Sequence, residues 1–518
     1  MGLQQENNTQ SSAVILAAGF GMRMVPINTE IPKALLDVSG LPLIERLIHQ
    51  LQEADIFDIT IVIGYMGERL KYLGEKYGVN LVNNSRYSEM NNLYSLMLVA
   101  DKISNTYILP CDIWCQENPF FNGSSDSFYL VYENSNSEKT DYWDSMTGIA
   151  YISEKDGDKI RDSLQLVVES DRGKDAFWEE VLYDSERLWI TPVFVSRDSV
   201  HQIDSFEDLR GIDNQSVHLH SEIIKLICHV FSISSDDISD IIALKKGMTN
   251  RSFLFSCRGD KYIMRIPGEG TDLLINRQQE AMVYGTLDGK GICDEIIYLN
   301  PDNGYKITRF VDGARNCDPN DLSDLKKCMS KLREFHSLEL KVEHEFDIFA
   351  QIDFYESLRN GNKSAYDDYD QVKKRVFNLS EFIEKHIEKK GLTHIDAIPD
   401  NFLIYSKEGQ EEIRLIDWEY AGMQDPHVDI AMFCIYSLYN QQEIDRLIDI
   451  YFDNNCTEAI RLKIYCYIAS CGLLWSNWCE YKHMLGVDFG DYAKKQYDFA
   501  REYSSWLTTE LRKRGIYE

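Results

Sequence analysis

Leu16-Ala17-Ala18-Gly19-Phe20-Gly21-Met22-Arg23-Met24, with Pro32-Lys33-Ala34-Leu35-Leu36 behind it, decides how the first part of this 518-residue chain is read. An apolar run, residues 13–18, ends in a Gly-x-Gly loop. That is the pattern of a buried parallel strand entering a turn whose backbone N–H groups stay open to an anion. Working outward, Pro42 to Ala54 puts Leu43, Leu47, Ile48 and Leu51 on one helical face. Ile59–Ile63 reads as a second strand, and Tyr107–Leu109 as a third that delivers Asp112 at its C-terminal end. Strands alternating with helices predict a doubly wound, Rossmann-like α/β domain. Its ligand belongs at the C-terminal strand ends, where Gly19 and Asp112 fall.

The residues at that point suit nucleotidyl transfer. Leu16, Ala17, Ala18, Gly19 and Gly21 form the nucleotide cradle, Arg23 and Lys33 bring positive charge to the phosphates, and Asp112 is a hard oxygen ligand for Mg²⁺.

The pattern changes at Gly211 to Gln215, and a helical stretch begins at Ser221. The expected domains are therefore 12–212 and 218–518. In the second, Ser252–Cys257 and Tyr262–Ile266 flank Arg258-Gly259-Asp260 as a hairpin, and most of the remainder reads as helix. A small β-rich lobe before a larger helical one predicts an α+β, protein-kinase-like two-lobed fold. His394-Ile395-Asp396-Ala397-Ile398-Pro399-Asp400-Asn401, then Ile416-Asp417-Trp418-Glu419, supply the parts phosphoryl transfer needs. Asp396 would receive or orient the acceptor proton, Asn401 and Asp417 would hold Mg²⁺, and His394 would brace the loop. Gly247, Thr249 and Asn250 lie where a nucleotide loop belongs. Arg265 takes the place of the strand lysine, with Glu280 on a helix as its partner.

The first set of motifs resembles the nucleotidyltransferases that activate sugar phosphates and phosphocholine, over roughly residues 12 to 210. Ile63-Gly64-Tyr65, Lys76-Tyr77-Gly78-Val79, Asn91-Asn92-Leu93-Tyr94-Ser95-Leu96 and His201-Gln202-Ile203-Asp204-Ser205 look like the bacterial CTP:phosphocholine cytidylyltransferases. That resemblance implies a second metal ligand at Asp204, with Gln202 departing from the usual acidic residue. It also implies a phosphocholine pocket at Trp143, Trp178 and Glu179; two core tryptophans are the plainer reading. The second set resembles choline kinases over residues 218 to 518. Leu474-Trp475-Ser476-Asn477-Trp478 and Asp488-Phe489-Gly490-Asp491-Tyr492-Ala493 match the segment that builds their choline pocket. Trp475 and Trp478 share a helical face. With Phe489 and Tyr492 they would make an aromatic cage for trimethylammonium, and Glu419 would add negative charge. A helix-packing stripe is the alternative. Aminoglycoside kinases share the H-x-D-x-x-x-x-N string, so that string alone does not choose choline.

Fifty-four basic against 84 acidic residues give a formal charge of −30, which opposes binding to nucleic acid or anionic membrane. No apolar run approaches the ~18 residues of a membrane span. Twelve cysteines without a C-x-x-C pair fit free thiols in a reducing cytoplasm. The expectation is a cytoplasmic enzyme that uses ATP to phosphorylate choline and CTP to convert phosphocholine into CDP-choline, with Mg²⁺ at both sites. Ethanolamine or a sugar alcohol as substrate, or one domain as an inactive module, are the alternatives.

Overall fold

The computed structural model describes residues 10–133, 142–170, 172–184, 187–244, 250–268, 271, 273–485, 487 and 489–515. Chain contacts divide it into Met1–Lys246 with Phe253–Gly259, and Gly247–Ser252 with Asp260–Glu518.

The first unit is built on β1 (Ser12–Ala17), β2 (Asp58–Ile63), β3 (Asn80–Asn83), β4 (Thr106–Pro110), β5 (Ile113–Cys115), β6 (Phe128–Tyr132), β7 (Met146–Ile152), β8 (Thr191–Val195) and β9 (Val200–Gln202). Seven of these form one sheet in the order β8-β6-β7-β4-β1-β2-β3. β1 runs parallel to both β2 and β4, and its apolar run is buried residue after residue on both faces, as its sequence requires. The helix read at Pro42 to Ala54 is α1 (Leu43–Glu53), and Leu43, Leu47, Ile48 and Leu51 are all buried, as is Ile44. The sheet is mixed: β7 runs antiparallel to β4 and β6. The sequence carries no mark of that reversal, because β7 is as apolar as the parallel strands.

β7 also fixes where Asp112 stands. Gly148 within it has φ +89°, and a Cβ there would lie 2.8 Å from Pro110 Cγ at the end of β4. β5 and β9 pair antiparallel just beyond, matching Gln202 to Ile113, and the Ile203 N–H donates to the Asp112 carbonyl at 2.9 Å. Two separate stretches of chain are thereby brought to one point.

β10 (Ile238–Ala243) and β11 (Asn250–Cys257) pair antiparallel, and β11 leads through Arg258 and Gly259, both at positive φ, into β12 (Asp260–Pro267). That is the hairpin read from sequence, with the turn residues that such a two-residue connection needs. In the second unit come α2 (Arg277–Leu287), β13 (Ile296–Leu299) and β14 (Lys306–Arg309), with β14 antiparallel to both β12 and β13. A helical lobe follows. It contains the hairpin β15 (Phe402–Lys407) and β16 (Gln410–Leu415), then α3 (His427–Tyr436), α4 (Glu458–Met484) and α5 (Asp491–Lys513). This is the two-lobed kinase plan. α4 is buried almost throughout its length, as expected of a helix apolar on every face.

Replacing Gly148 with alanine forces a side chain into Pro110 at a left-handed position, and should cost about 1–3 kcal/mol. Thermal unfolding followed by circular dichroism should show the first unit's transition moving to lower temperature.

Candidate active sites

In the first unit, the Gly19–Gly21 loop is stapled from several sides. The Leu16 carbonyl accepts from the Cys111 N–H at 3.1 Å, and the Ala18 carbonyl from the Tyr65 N–H at 3.0 Å. Buried Asn28 donates to the carbonyls of Phe20 (3.2 Å) and Gly21 (2.9 Å). A Cβ at Gly19 would meet nothing, which leaves the loop's open side unobstructed. Gly21 sits at φ +66°, where a Cβ would press against Lys33 Cδ at 3.2 Å. Asn28 escaped the sequence reading, since a polar residue in a loop gives no signal of its own.

Lys33 lies at the centre. Its ammonium hydrogen-bonds Asp112 Oδ2 and, at 2.6 Å, Asp204 Oδ1. Arg23 Nη2 pairs with Asp204 Oδ2 at 3.0 Å from a largely exposed position. The four residues named from separate motifs therefore meet. Burial alone would lower the Lys33 pKa, but the two carboxylates more than offset it and hold the ammonium charged. Asp112 Oδ1 is buried without a partner.

The aromatic residues divide. Trp178 is 0% exposed and stacks on Tyr129 at 6.1 Å within the core, so its indole is packed by protein and not presented to a pocket. Trp143 is exposed, edge-on to Tyr183 at 5.6 Å. Glu179 has a buried Oε2 with no partner. Burial raises its pKa to about 7, hydrogen bonding from its own backbone and Asn92 works the other way, and the Asp112 charge adds to the rise.

In the second unit, Gly247 and Thr249 lie outside the described residues. Asn250 opens β11, and its amide donates to Glu419 Oε2 at 2.9 Å. Arg265 on β12 forms a two-pronged pair with Glu280 on α2, at 2.5 and 2.8 Å. Against its burial, Arg265 pulls the Glu280 pKa down to about 2. Arg277, one turn before Glu280, bonds both Glu280 Oε2 (3.0 Å) and Glu419 Oε2 (3.2 Å). Glu419 is thus held by Asn250 and Arg277, with Arg265 Nη1 at 3.6 Å. This corrects its expected place beside a substrate ammonium: its charge is already engaged by two guanidinium groups. Arg277 could have been noticed from its i, i+3 spacing to Glu280.

The catalytic loop is fixed from behind. His394 is fully buried. Its Nδ1 accepts from the Asp396 N–H at 3.2 Å, which leaves Nε2–H to donate to the Ile416 carbonyl at 2.9 Å. Burial lowers its pKa to about 4, so the ring is neutral and braces the loop. Asp429 on α3 accepts from the backbone N–H groups of His394 (3.1 Å) and Ile395 (2.7 Å). His336 Nε2 reaches the same carboxylate at 2.9 Å. Ile395 has φ +70°, a strained value for a β-branched residue that these bonds hold in place. Asn401 donates to the Asp396 carbonyl (2.9 Å) and to Asp396 Oδ2 (3.1 Å). Burial and the Asp417 and Glu419 carboxylates push the Asp396 pKa well up, and burial with Glu419 takes Asp417 to about 7.

Aromatic rings pack next to this loop. Tyr420 meets Trp475 at 5.5 Å, Trp475 meets Trp478 at 5.3 Å, and Trp478 meets Phe489 at 5.4 Å. Tyr492 packs against Tyr436 instead, at 6.1 Å. After burial, the Asp396 charge is among the causes that raise the hydroxyl pKa of Tyr355, Tyr420 and Tyr492, which puts the cluster within electrostatic reach of Asp396. Tyr355 and Tyr420 went unread in the sequence because they stand apart from the Trp-rich segment.

Among the described residues no group of three or more His, Cys, Asp or Glu forms a metal cluster. The oxygen sets that fit Mg²⁺ are Asp112 with Asp204, where Asp112 Oδ1 is left without a hydrogen-bond partner, and Asn401 Oδ1 with Asp417.

Two family models match: a MobA-like NTP transferase domain over residues 13–120, and choline/ethanolamine kinase over residues 241–466. The choline-phosphate cytidylyltransferase of Streptococcus pneumoniae is 33% identical over 220 residues, 39% of this chain and 96% of that protein. Protein LicA of Haemophilus influenzae is 30% identical over 267 residues, 49% of this chain and 97% of that protein. The crystal structure of choline kinase LicA from Streptococcus pneumoniae is 29% identical and covers 55% of this chain and all (100%) of its own, with a TM-score of 0.48.

Asp429→Ala would leave the His394 and Ile395 N–H groups and the His336 ring without their buried acceptor. Breaking such a network is expected to cost roughly 3–5 kcal/mol. Phosphoryl transfer should fall by two orders of magnitude or more in a coupled ADP-release assay, while cytidylyl transfer stays at its original rate.

Proposed function

Because the chain belongs to the choline-phosphate cytidylyltransferase family in its N-terminal part and to the LicA choline kinase family in its C-terminal part, we propose that it performs two consecutive reactions. Residues 218–518 phosphorylate choline with ATP; residues 12–212 couple the resulting phosphocholine to CTP, giving CDP-choline and pyrophosphate. The observation that carries this reading is that Asp396, Asn401 and Asp417 stand together next to the ring series Tyr420–Trp475–Trp478–Phe489.

In the kinase reaction the choline oxygen attacks the γ-phosphorus, ADP leaves, and the hydroxyl proton passes to Asp396. Asn401 orients the Asp396 carboxylate through the hydrogen bond its side-chain amide donates to Oδ2. Arg265, set by Glu280, faces the phosphates. A quaternary ammonium offers no N–H to a hydrogen-bond acceptor, so aromatic faces are the suitable wall for it. That wall favours choline over ethanolamine, whose ammonium would ask for hydrogen-bond acceptors. In the transferase reaction an oxygen of phosphocholine attacks the α-phosphorus of CTP and pyrophosphate leaves. The Gly19–Gly21 loop, Arg23 and Lys33 hold the triphosphate. Glu179, whose Oε2 has no protein partner, is the anionic group for the trimethylammonium, with Trp143 as the exposed ring. We assign Mg²⁺ to Asp112 with Asp204 and to Asn401 with Asp417, where it would neutralise phosphate charge.

One tube with enzyme, Mg²⁺, ATP, CTP and choline should yield CDP-choline, and omission of any single component should abolish it. Failure to form phosphocholine under these conditions would overturn the reading. Trp475→Ala and Trp478→Ala should each raise the choline KM by about 5- to 30-fold, the equivalent of ~1–2 kcal/mol of cation–π attraction; an unchanged KM assigns those rings to packing alone.

With a pKa of about 7, Glu179 is neutral below that pH and anionic above it. The KM for phosphocholine in the second reaction should therefore fall as pH rises from 6 to 8. Glu179→Gln should remove that part of the dependence, leaving only the titration of the substrate phosphate.

A further inference from the structure

Lys33 occupies the space between the two carboxylates assigned to the metal. Its Nζ bonds Asp112 and Asp204 together, and its side chain is packed down to 9% exposure. The Asp112 side chain is 10% exposed, and its second oxygen, Oδ1, has no partner. The site therefore has one lysine ammonium in place and an oxygen left over. Two carboxylates held on one ammonium, Asp112 buried and Asp204 partly buried, need a positive charge between them, and in the free protein the ammonium supplies it.

A free divalent ion arriving here meets two obstacles. It must sit beside a unit positive charge at contact distance, or drive that charge out of a pocket walled by the Gly21 backbone. Neither obstacle remains once a triphosphate lies on the Gly19–Gly21 loop, because the ammonium then has a new anionic partner within its own reach. A side chain at position 21 would crowd the Lys33 stem, with its Cβ 3.2 Å from Lys33 Cδ; glycine there removes that obstruction to movement of the lysine.

Building on the assignment of a divalent cation to Asp112 and Asp204, we propose that Lys33 is the resident counter-ion of this pair: it keeps the two carboxylates together in the free enzyme, excludes the metal on its own, and hands the site over only when the metal arrives with the nucleotide. Lys33 is on this account a gate for ordered loading as well as a phosphate-contacting cation.

The test uses the full chain and Mn²⁺ alone, with no nucleotide, read by the electron paramagnetic resonance of free Mn²⁺. Every protein carries Asp417→Asn, which weakens metal binding at the kinase site. Lys33→Met should bind Mn²⁺ about tenfold or more tightly than its parent, a modest share of what one unit charge at contact distance contributes near a protein surface. Lys33→Gln, which keeps two donors but no charge, should change in the same direction and covers the case in which the Met variant does not fold. Adding Asp204→Asn to either should abolish the gain. If neither variant gains affinity while Asp204→Asn still weakens Mn²⁺ binding, a metal binds there but Lys33 does not hold it off, and the proposal is overturned. If Asp204→Asn has no effect in any background, the metal assignment itself fails and the gate with it.

Discussion

Charge neutralisation inside a strongly acidic molecule is the constraint on which both sites rest. With a formal charge of −30, the chain repels polyphosphates on average. Attraction has to come from a few cations held where water cannot screen them. Lys33, Arg265, Arg277 and Lys306 are all at least nine-tenths buried. Each pairs with carboxylates that fix its direction. Lys306, on β14, lies 3.8 Å from Asp294 and 3.9 Å from Glu280, and donates to the Tyr284 hydroxyl at 2.6 Å. The acidic residues are thus the scaffold that allows these buried cations to exist.

How much of this was legible in the sequence depends on the range of the signal. β1, α1 and the β11–β12 hairpin follow from apolar periodicity and turn residues, which act over a few positions. The meeting of Arg23, Lys33, Asp112 and Asp204 follows from motifs whose residues are individually strong. The reversal of β7 does not, since strand direction is settled by partners elsewhere in the sheet. Asp429 and His336 belong to the same class, for they touch across 93 positions of chain and carry no local motif. Trp178 and Glu419 show the opposite failure. Both residue types suit a cationic ligand, but tertiary packing gave the indole to the core and the carboxylate to Arg277.

The two parts solve the problem of holding a loop in different ways. In the first, backbone carbonyls and Asn28 tie down the glycine turn, leaving the open side of Gly19 clear. In the second, a neutral histidine and one aspartate hold a strained backbone. The neutrality of His394 matters here: a protonated ring would lose the acceptor at Nδ1 that fixes the Asp396 N–H. Its burial keeps the loop's geometry unaffected by the ordinary range of cellular acidity.

The Asp429 clamp also has a bearing on how such an enzyme can diversify. It grips the loop by main-chain N–H groups, so it is indifferent to the side chain at position 395 and to whatever lies across the cleft. Asp429 belongs to α3, whereas Trp475 and Trp478 belong to α4. The anchor of the proposed base and the proposed aromatic lining are carried by separate helices. A lineage could therefore exchange the aromatic lining for a polar one, and so change the alcohol it phosphorylates, without disturbing the position of the proton acceptor.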